Sequence, residues 1–231
     1  MNAPSPVIRL QAVTLRYGRI PVVDGVDLEI AANRVTTLSG PSGSGKSTLL
    51  RTLCRMNDRL PGFSVSGKVE VLGQDVHAPS TDVCDLRRRV GLLFQKPCVF
   101  PKSILENVVF GLKYHHPGER ARFPELARRA LEQAGLWAEV KDRLDAPAVA
   151  LSQGQQQRLA LARTLALEPE ILLLDEPTAS LDPESSAIIE ELAATLKARC
   201  SLVWVTHDPA QADRIADRKI AFADGRILPH T

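Results

Sequence analysis

Apolar and polar residues alternate along residues 7–30, and glycines interrupt the pattern at positions 18 and 25. A period of two marks half-exposed strands, and the interruptions predict short antiparallel ones. Val35–Ser39 is a short apolar run that enters a glycine-rich turn, and residues 47–56 then carry apolar side chains at helical spacing. Residues 67–72 and 90–94 read as further strands, whereas 103–167 is mostly helical. Residues 171–174 and 202–205 are solid apolar runs of the kind a parallel sheet buries on both faces. Helix-forming sequence, 183–199, lies between them. Strands alternating with helices around a helical block predict an α/β chain with a mainly parallel core sheet, an N-terminal antiparallel β subdomain and an inserted helical subdomain. The core is expected at residues 1–95 and 160–231, and the helical subdomain at 96–159. No Gly/Ser/Pro linker separates independent domains.

Composition narrows this picture without changing it. A chain of 231 residues, 44% hydrophobic and 24% charged, is long enough to bury a core without disulfides or metals. The net charge of only +2 argues against nucleic acid as a partner, because a phosphate backbone selects a strongly basic face. The run Arg87, Arg88, Arg89 is expected to be a solvated helix end. Cys54, Cys84, Cys98 and Cys200 are scattered, without CxxC pairing or histidines at ligand spacing, and read as unpaired thiols of a reducing compartment. The start, Met-Asn-Ala-Pro-Ser-Pro, has no signal-peptide character, and every apolar run is far shorter than the ~20 residues of a membrane helix. A cytoplasmic protein is expected.

The segment Gly40-Pro41-Ser42-Gly43-Ser44-Gly45-Lys46-Ser47 fits GxxxxGK[ST] at every fixed position, with a strand before it and a helix beginning at Ser47 and Thr48. Glycines let the backbone curl so that successive N–H groups face phosphate oxygens. Lys46 adds a charge for the β- and γ-phosphates, and the Ser47 hydroxyl is a ligand for Mg2+. Asp175 and Glu176 end an apolar strand, and ligand sites of parallel sheets lie off such ends. Asp175 suits magnesium, while Glu176 can hold a water and accept its proton. ATP binding and hydrolysis are the expected chemistry.

Leu151-Ser152-Gln153-Gly154-Gln155, followed by Gln-Gln-Arg158, resembles the signature segment of ABC ATPases. Other motifs follow in that family's order across essentially the whole chain. The resemblance implies a P-loop NTPase of the ABC type in which Tyr17 stacks on adenine and Gln95 touches magnesium and water. It further implies that His207 contacts the γ-phosphate and that Ser180, Leu181 and Asp182 bridge two subunits. The signature segment of one copy would meet the ATP of the other, in a homodimer attached to integral membrane permease subunits and served indirectly by a substrate-binding protein. That places the chain peripherally on the cytoplasmic face of the plasma membrane. The usual signature reads Leu-Ser-Gly-Gly-Gln, so Gln153 is a departure.

Stretches outside the nucleotide motifs resemble the ATP-binding subunits of bacterial phosphate importers: Arg55-Met56-Asn57-Asp58, Phe94-Gln95-Lys96-Pro97, Phe100-Pro101-Lys102-Ser103-Ile104 and Leu136-Trp137. Residues 97–110 would supply the groove for a helix of the membrane subunit. Import of another substrate, or a soluble ABC ATPase, are the competing readings. The soluble types generally carry two cassettes or a long coiled-coil insertion, and this sequence has neither. A non-hydrolysing cassette would be expected to lack Lys46, Glu176 or His207.

Overall fold

The computed structural model describes residues 6–228; Met1 to Ser5, read above for a targeting signal, and residues 229–231 lie outside the described residues. In chain order the first elements are β1 (Pro6–Tyr17), β2 (Ile20–Ala31), β3 (Val35–Ser39), α1 (Lys46–Thr52), β4 (Phe63–Val71), β5 (Gln74–Asp75), α2 (Val83–Arg89) and β6 (Val90–Leu93). Helices follow: α3 (Ile104–Val108), α4 (Phe110–His115), α5 (Phe123–Gln133), α6 (Trp137–Val140) and α7 (Gln153–Leu165). The last elements are β7 (Ile171–Asp175), α8 (Pro183–Leu196), β8 (Ser201–Thr206), α9 (Pro209–Ile215), β9 (Arg218–Ala223) and β10 (Arg226–Ile227). They gather into two compact units. One comprises residues up to Leu92, Glu170–Asp175 and residues from Lys197 on; the other comprises Leu93–Pro169 and Glu176–Leu196.

The first unit carries an antiparallel sheet in the order β2-β1-β4-β5 and a sheet in the order β10-β9-β3-β8-β7-β6. Strand β3 is parallel to both β8 and β9, β7 is parallel to β8, and β10 turns back antiparallel on β9. Ile8, Leu15 and Val69 of the antiparallel sheet share one buried cluster with Leu49 and Leu50 of α1 and with Leu173, Val203 and Phe222 of the core sheet.

Several elements differ from the periodicity, each for a local reason. β1 and β2 are two long strands rather than several short ones. Gly25 lies inside β2 at φ +60°, where its N–H donates to Thr14 Oγ1 at 3.0 Å, so it marks a bulge and not a break. Gly67 likewise lies within β4, which begins at Phe63: a Cβ there would lie 2.3 Å from the Ala12 carbonyl oxygen. Helix α1 stops at Thr52 instead of Met56 because Arg55 turns left-handed, at φ +59°. The buried Asn57 amide then reaches back to the Thr48 carbonyl at 2.8 Å and to Thr52 Oγ1 at 2.9 Å. Beyond His207 the chain adds α9, β9 and β10, which the periodicity did not reveal.

The arginine run ends α2, as expected of a helix terminus. Arg87 donates to the Cys54 and Arg55 carbonyls, Arg88 pairs with Asp85, and Arg89 pairs with Glu170. All four cysteines are free: Cys54 and Cys200 are buried, Cys84 and Cys98 exposed. Burial pushes the Cys54 thiol up to about 12 and the Cys200 thiol up to about 11.

The second unit is built around α7, which is buried along most of its length and packs against α3, α5 and α8. Trp137 is half-buried, with the Arg128 guanidinium 5.5 Å from its ring centroid. Among the described residues no helix is long and apolar enough to cross a membrane. Leu173 is fully buried in the shared cluster of the first unit, so Leu173→Ala should lower unfolding free energy by roughly 2 to 5 kcal/mol in a denaturant titration, with the slope unchanged.

Candidate functional site

Strand register assembles the first half of the site. Leu38 pairs with Val205 and Val205 with Asp175, so β3, β8 and β7 end together at one edge of the sheet. Ser39 pairs with Thr206, which makes Gly40 and His207 the next residues out of two adjacent strands. The glycine-rich loop, Asp175 and His207 therefore emerge side by side at the carboxyl ends of parallel strands, where open α/β sheets bind ligands.

The loop needs its glycines at two positions in particular. Gly40, at φ +154°, sits so close to β9 that a Cβ would fall 1.8 Å from the Phe222 carbonyl oxygen. Gly45, at φ +101°, lies against β2, and a Cβ there would come within 2.3 Å of the Val22 oxygen. Gly43 is left-handed at φ +79° with open space around it. Pro41 and Ser42 are exposed, while Ser44 is buried. Lys46 is 3% exposed, and its Nζ donates to the carbonyls of Gly40 at 2.8 Å and Pro41 at 2.7 Å and to Ser44 Oγ at 3.3 Å. The ammonium thus holds the loop closed around its own carbonyls.

At the next position of α1, Ser47 Oγ donates to Asp175 Oδ1 at 2.6 Å. Arg51 holds the other carboxylate oxygen, Oδ2, from Nη2 at 2.7 Å and Nε at 3.1 Å. Asp175 is buried, and the arginine fork fixes its carboxylate plane. Sequence reading missed Arg51. Its one available signal was its position four residues after Ser47, on the same face of the helix. Ser47 and Asp175 are two hard oxygen donors in contact, and among the described residues no group of three or more His, Cys, Asp and Glu side chains could hold a metal. So sparse a protein donor set fits magnesium, which keeps several waters and takes phosphate oxygens. Tyr17, at the end of β1, lies with its ring centroid 5.4 Å from that of Phe63.

The remaining predicted residues belong to the second unit. Gln95 follows β6 and is exposed. Glu176 has left-handed backbone, φ +48°, at the turn out of β7, a conformation that costs a non-glycine residue about 1–2 kcal/mol. Leu151 is buried, and Ser152 caps α7 in a reciprocal box with Gln155: Ser152 Oγ accepts from Gln155 N at 3.3 Å, and Gln155 Oε1 accepts from Ser152 N at 3.0 Å. Gln153 is exposed in the first turn of α7, whereas a Cβ at Gly154 would lie 2.3 Å from Ser185 Oγ. The departure from the usual signature therefore falls at the position with room for a side chain. Asp182, after Ser180 and Leu181, heads α8 with Oδ1 accepting from Ser185 N at 2.9 Å.

Glu139 is a second residue that spacing did not reveal. It accepts from Gln155 Nε2 at 2.8 Å and from Arg158 at 2.5 and 3.2 Å, tying the first turns of α7 to α6. Burial pushes its carboxyl up, but the Arg158 and Gln155 hydrogen bonds outweigh that and hold it below the usual carboxylate range. A depressed folded-state value stabilises the protein above the unfolded pKa, about 4.3, and is lost as pH falls through the folded value. Glu139→Gln should accordingly lower Tm at neutral pH, with the gap from wild type closing below about pH 4.

A glycine loop closed by a buried lysine, beside a serine–aspartate pair at the ends of parallel strands, defines a P-loop nucleotide-binding protein. Residues 23–179 match the model of the ABC transporter family. The chain is 47% identical over 224 residues to phosphate import ATP-binding protein PstB 1 of Vibrio parahaemolyticus, covering 97% of this chain and 82% of that one. It is 45% identical over 230 residues to PstB 2 of Aliivibrio fischeri, covering 100% and 85%. Its structure is similar to that of cbiO1 from Clostridium perfringens, part of the ABC transporter complex cbiONQ, with a TM-score of 0.85, 26% identity, and coverage of 97% and 88%. The chain belongs to the ABC transporter family, as one of its ATPases.

Proposed function

We propose that this chain is the ATP-hydrolysing subunit of an importer of inorganic phosphate. The observation that carries the reading is its likeness, at 43–47% identity over 97% or more of its length, to several phosphate import ATP-binding proteins. So extended a match spans the P-loop and the helical unit alike, not the shared nucleotide motifs alone.

In this reading two copies meet head to tail, with each ATP between the loop around Lys46 of one copy and the Leu151 to Gln155 segment of the other. Tyr17, braced by Phe63, stacks on the adenine. The loop N–H groups from Gly40 to Thr48 and the Lys46 ammonium hold the phosphates. Ser47, Asp175 and Gln95 would hold magnesium, which would supply positive charge at the phosphate oxygens. Glu176 orients the attacking water and takes its proton, and His207 contacts the γ-phosphate. Ser180, Leu181 and Asp182 cross to the other copy. ATP binding closes the dimer and hydrolysis releases it, so γ-phosphate contacts set a two-state element.

The Gln95 region passes this motion to integral membrane permease subunits. Phe100 and Phe110, with ring centroids 4.6 Å apart, and the 72% exposed Tyr114 offer them an aromatic stripe. The chain then sits peripherally on the cytoplasmic face of the plasma membrane and meets the substrate-binding protein only through the permease.

Two measurements test the reading. Glu176→Gln should bind ATP normally and lose roughly 10²-fold or more in turnover, as loss of a general base requires; near-wild-type hydrolysis would remove Glu176 from that role. Deleting the gene should abolish high-affinity uptake of radiolabelled inorganic phosphate, with restoration by the wild-type copy and not by the Glu176 variant. Unchanged phosphate uptake, with uptake of another solute lost, would reassign the cargo.

A further inference from the structure

We propose that Gln157 is a positioning residue for hydrolysis, fixing the backbone beside Gln95 and beside Glu176 to the helix that begins at the signature segment. The inference rests on the roles given above to Gln95 and Glu176.

Gln157 is fully buried on α7. Its Nε2 donates to the Phe94 carbonyl at 2.9 Å and to the Pro177 carbonyl at 3.0 Å. Phe94 is the residue before Gln95, and Pro177 is the residue after Glu176. Both partners are acceptors, so only the NH2 group can face them, and the orientation of the amide is fixed by chemistry. One side chain thus spends both its protons on two segments that lie 63 and 20 positions away in sequence.

The other end of the amide is a buried Oε1 without a hydrogen-bond partner. An unpaired acceptor in a packed interior is costly, and an apolar side chain of equal volume would avoid the cost. Packing alone gives no reason for glutamine here; the two carbonyl tethers do. Glu176 supplies a reason for the tether, since its left-handed backbone, at φ +48°, must be held by its surroundings. Gripping the next carbonyl restrains the turn that aims the carboxylate. Because Ser152 and Gly154 sit on the first turn of the same helix, any displacement of α7 carries the backbone next to Gln95 and Glu176 with it.

A residue acting this way affects the chemical step more than nucleotide affinity, which belongs to the Lys46 loop. In the full-length protein, Gln157→Met keeps the length of the side chain and removes the donors, and Gln157→Glu keeps its shape and turns an acceptor on the carbonyls. Each should lower kcat roughly 10-fold or more, the scale of a small misplacement of reacting groups, while the KM for ATP and direct binding of a nucleotide analogue change less than about threefold. Added to Glu176→Gln, Gln157→Met should lower turnover little further, because both act on one group. If Gln157→Met hydrolyses ATP like wild type while Glu176→Gln does not, Gln157 is packing only and the site reading stands. If Glu176→Gln itself is active, the site reading fails and takes this inference with it. Loss of folding, or loss of ATP binding in step with turnover, in both Gln157 variants would also overturn the inference, by making the residue structural.

Discussion

Parallel pairing of β3 with β8, and of β8 with β7, lines up Leu38, Val205 and Asp175 in a single row. Everything chemical in the first unit depends on that register. Parallel strands share one carboxyl edge, so three separate stretches of chain deliver a glycine loop, a histidine and a carboxylate to the same place. A shift of one residue in any of these strands would exchange its two faces and move its terminal group out of line. Every residue of β7 and β8 is buried, so a shift would also misfit close-packed side chains on both faces.

That dependence explains what could be read from the sequence. The loop of residues 40–47 was legible because its chemistry is local: the spacing of Gly40, Gly45, Lys46 and Ser47 carries the phosphate site by itself. β7 and β8 were legible as solid apolar runs. Arg51, Glu139 and Gln157 were not, because their partners are remote; Arg51 and Asp175 are 124 positions apart. Gly25 and Gly67 misled for a related reason. A glycine breaks a strand in most sequences, but here Gly25 turns left-handed at a bulge and Gly67 admits a close approach, each inside a strand. β9 pairs in parallel with β3 and carries β10 at the sheet edge, a placement no period announces.

The second unit solves a different problem, that of presenting a helix start. Ser152 and Gln155 satisfy each other's backbone groups, Glu139 anchors Gln155 and Arg158, and Gly154 lets α8 approach within a Cβ radius. Three residues of the signature thus have structural duties besides any contact with nucleotide. Gln153 has none, and it is the position at which this sequence departs from its family.

The distribution of thiols has a practical consequence. Cys84 lies in the first unit and Cys98 in the second, both exposed, while Cys54 and Cys200 are buried with thiols held protonated. Maleimide dyes at neutral pH would therefore modify one native site in each unit and leave the interior untouched. The unaltered chain carries a ready pair of attachment points for energy-transfer spectroscopy, so the separation of its two units could be followed through a nucleotide cycle without engineered cysteines.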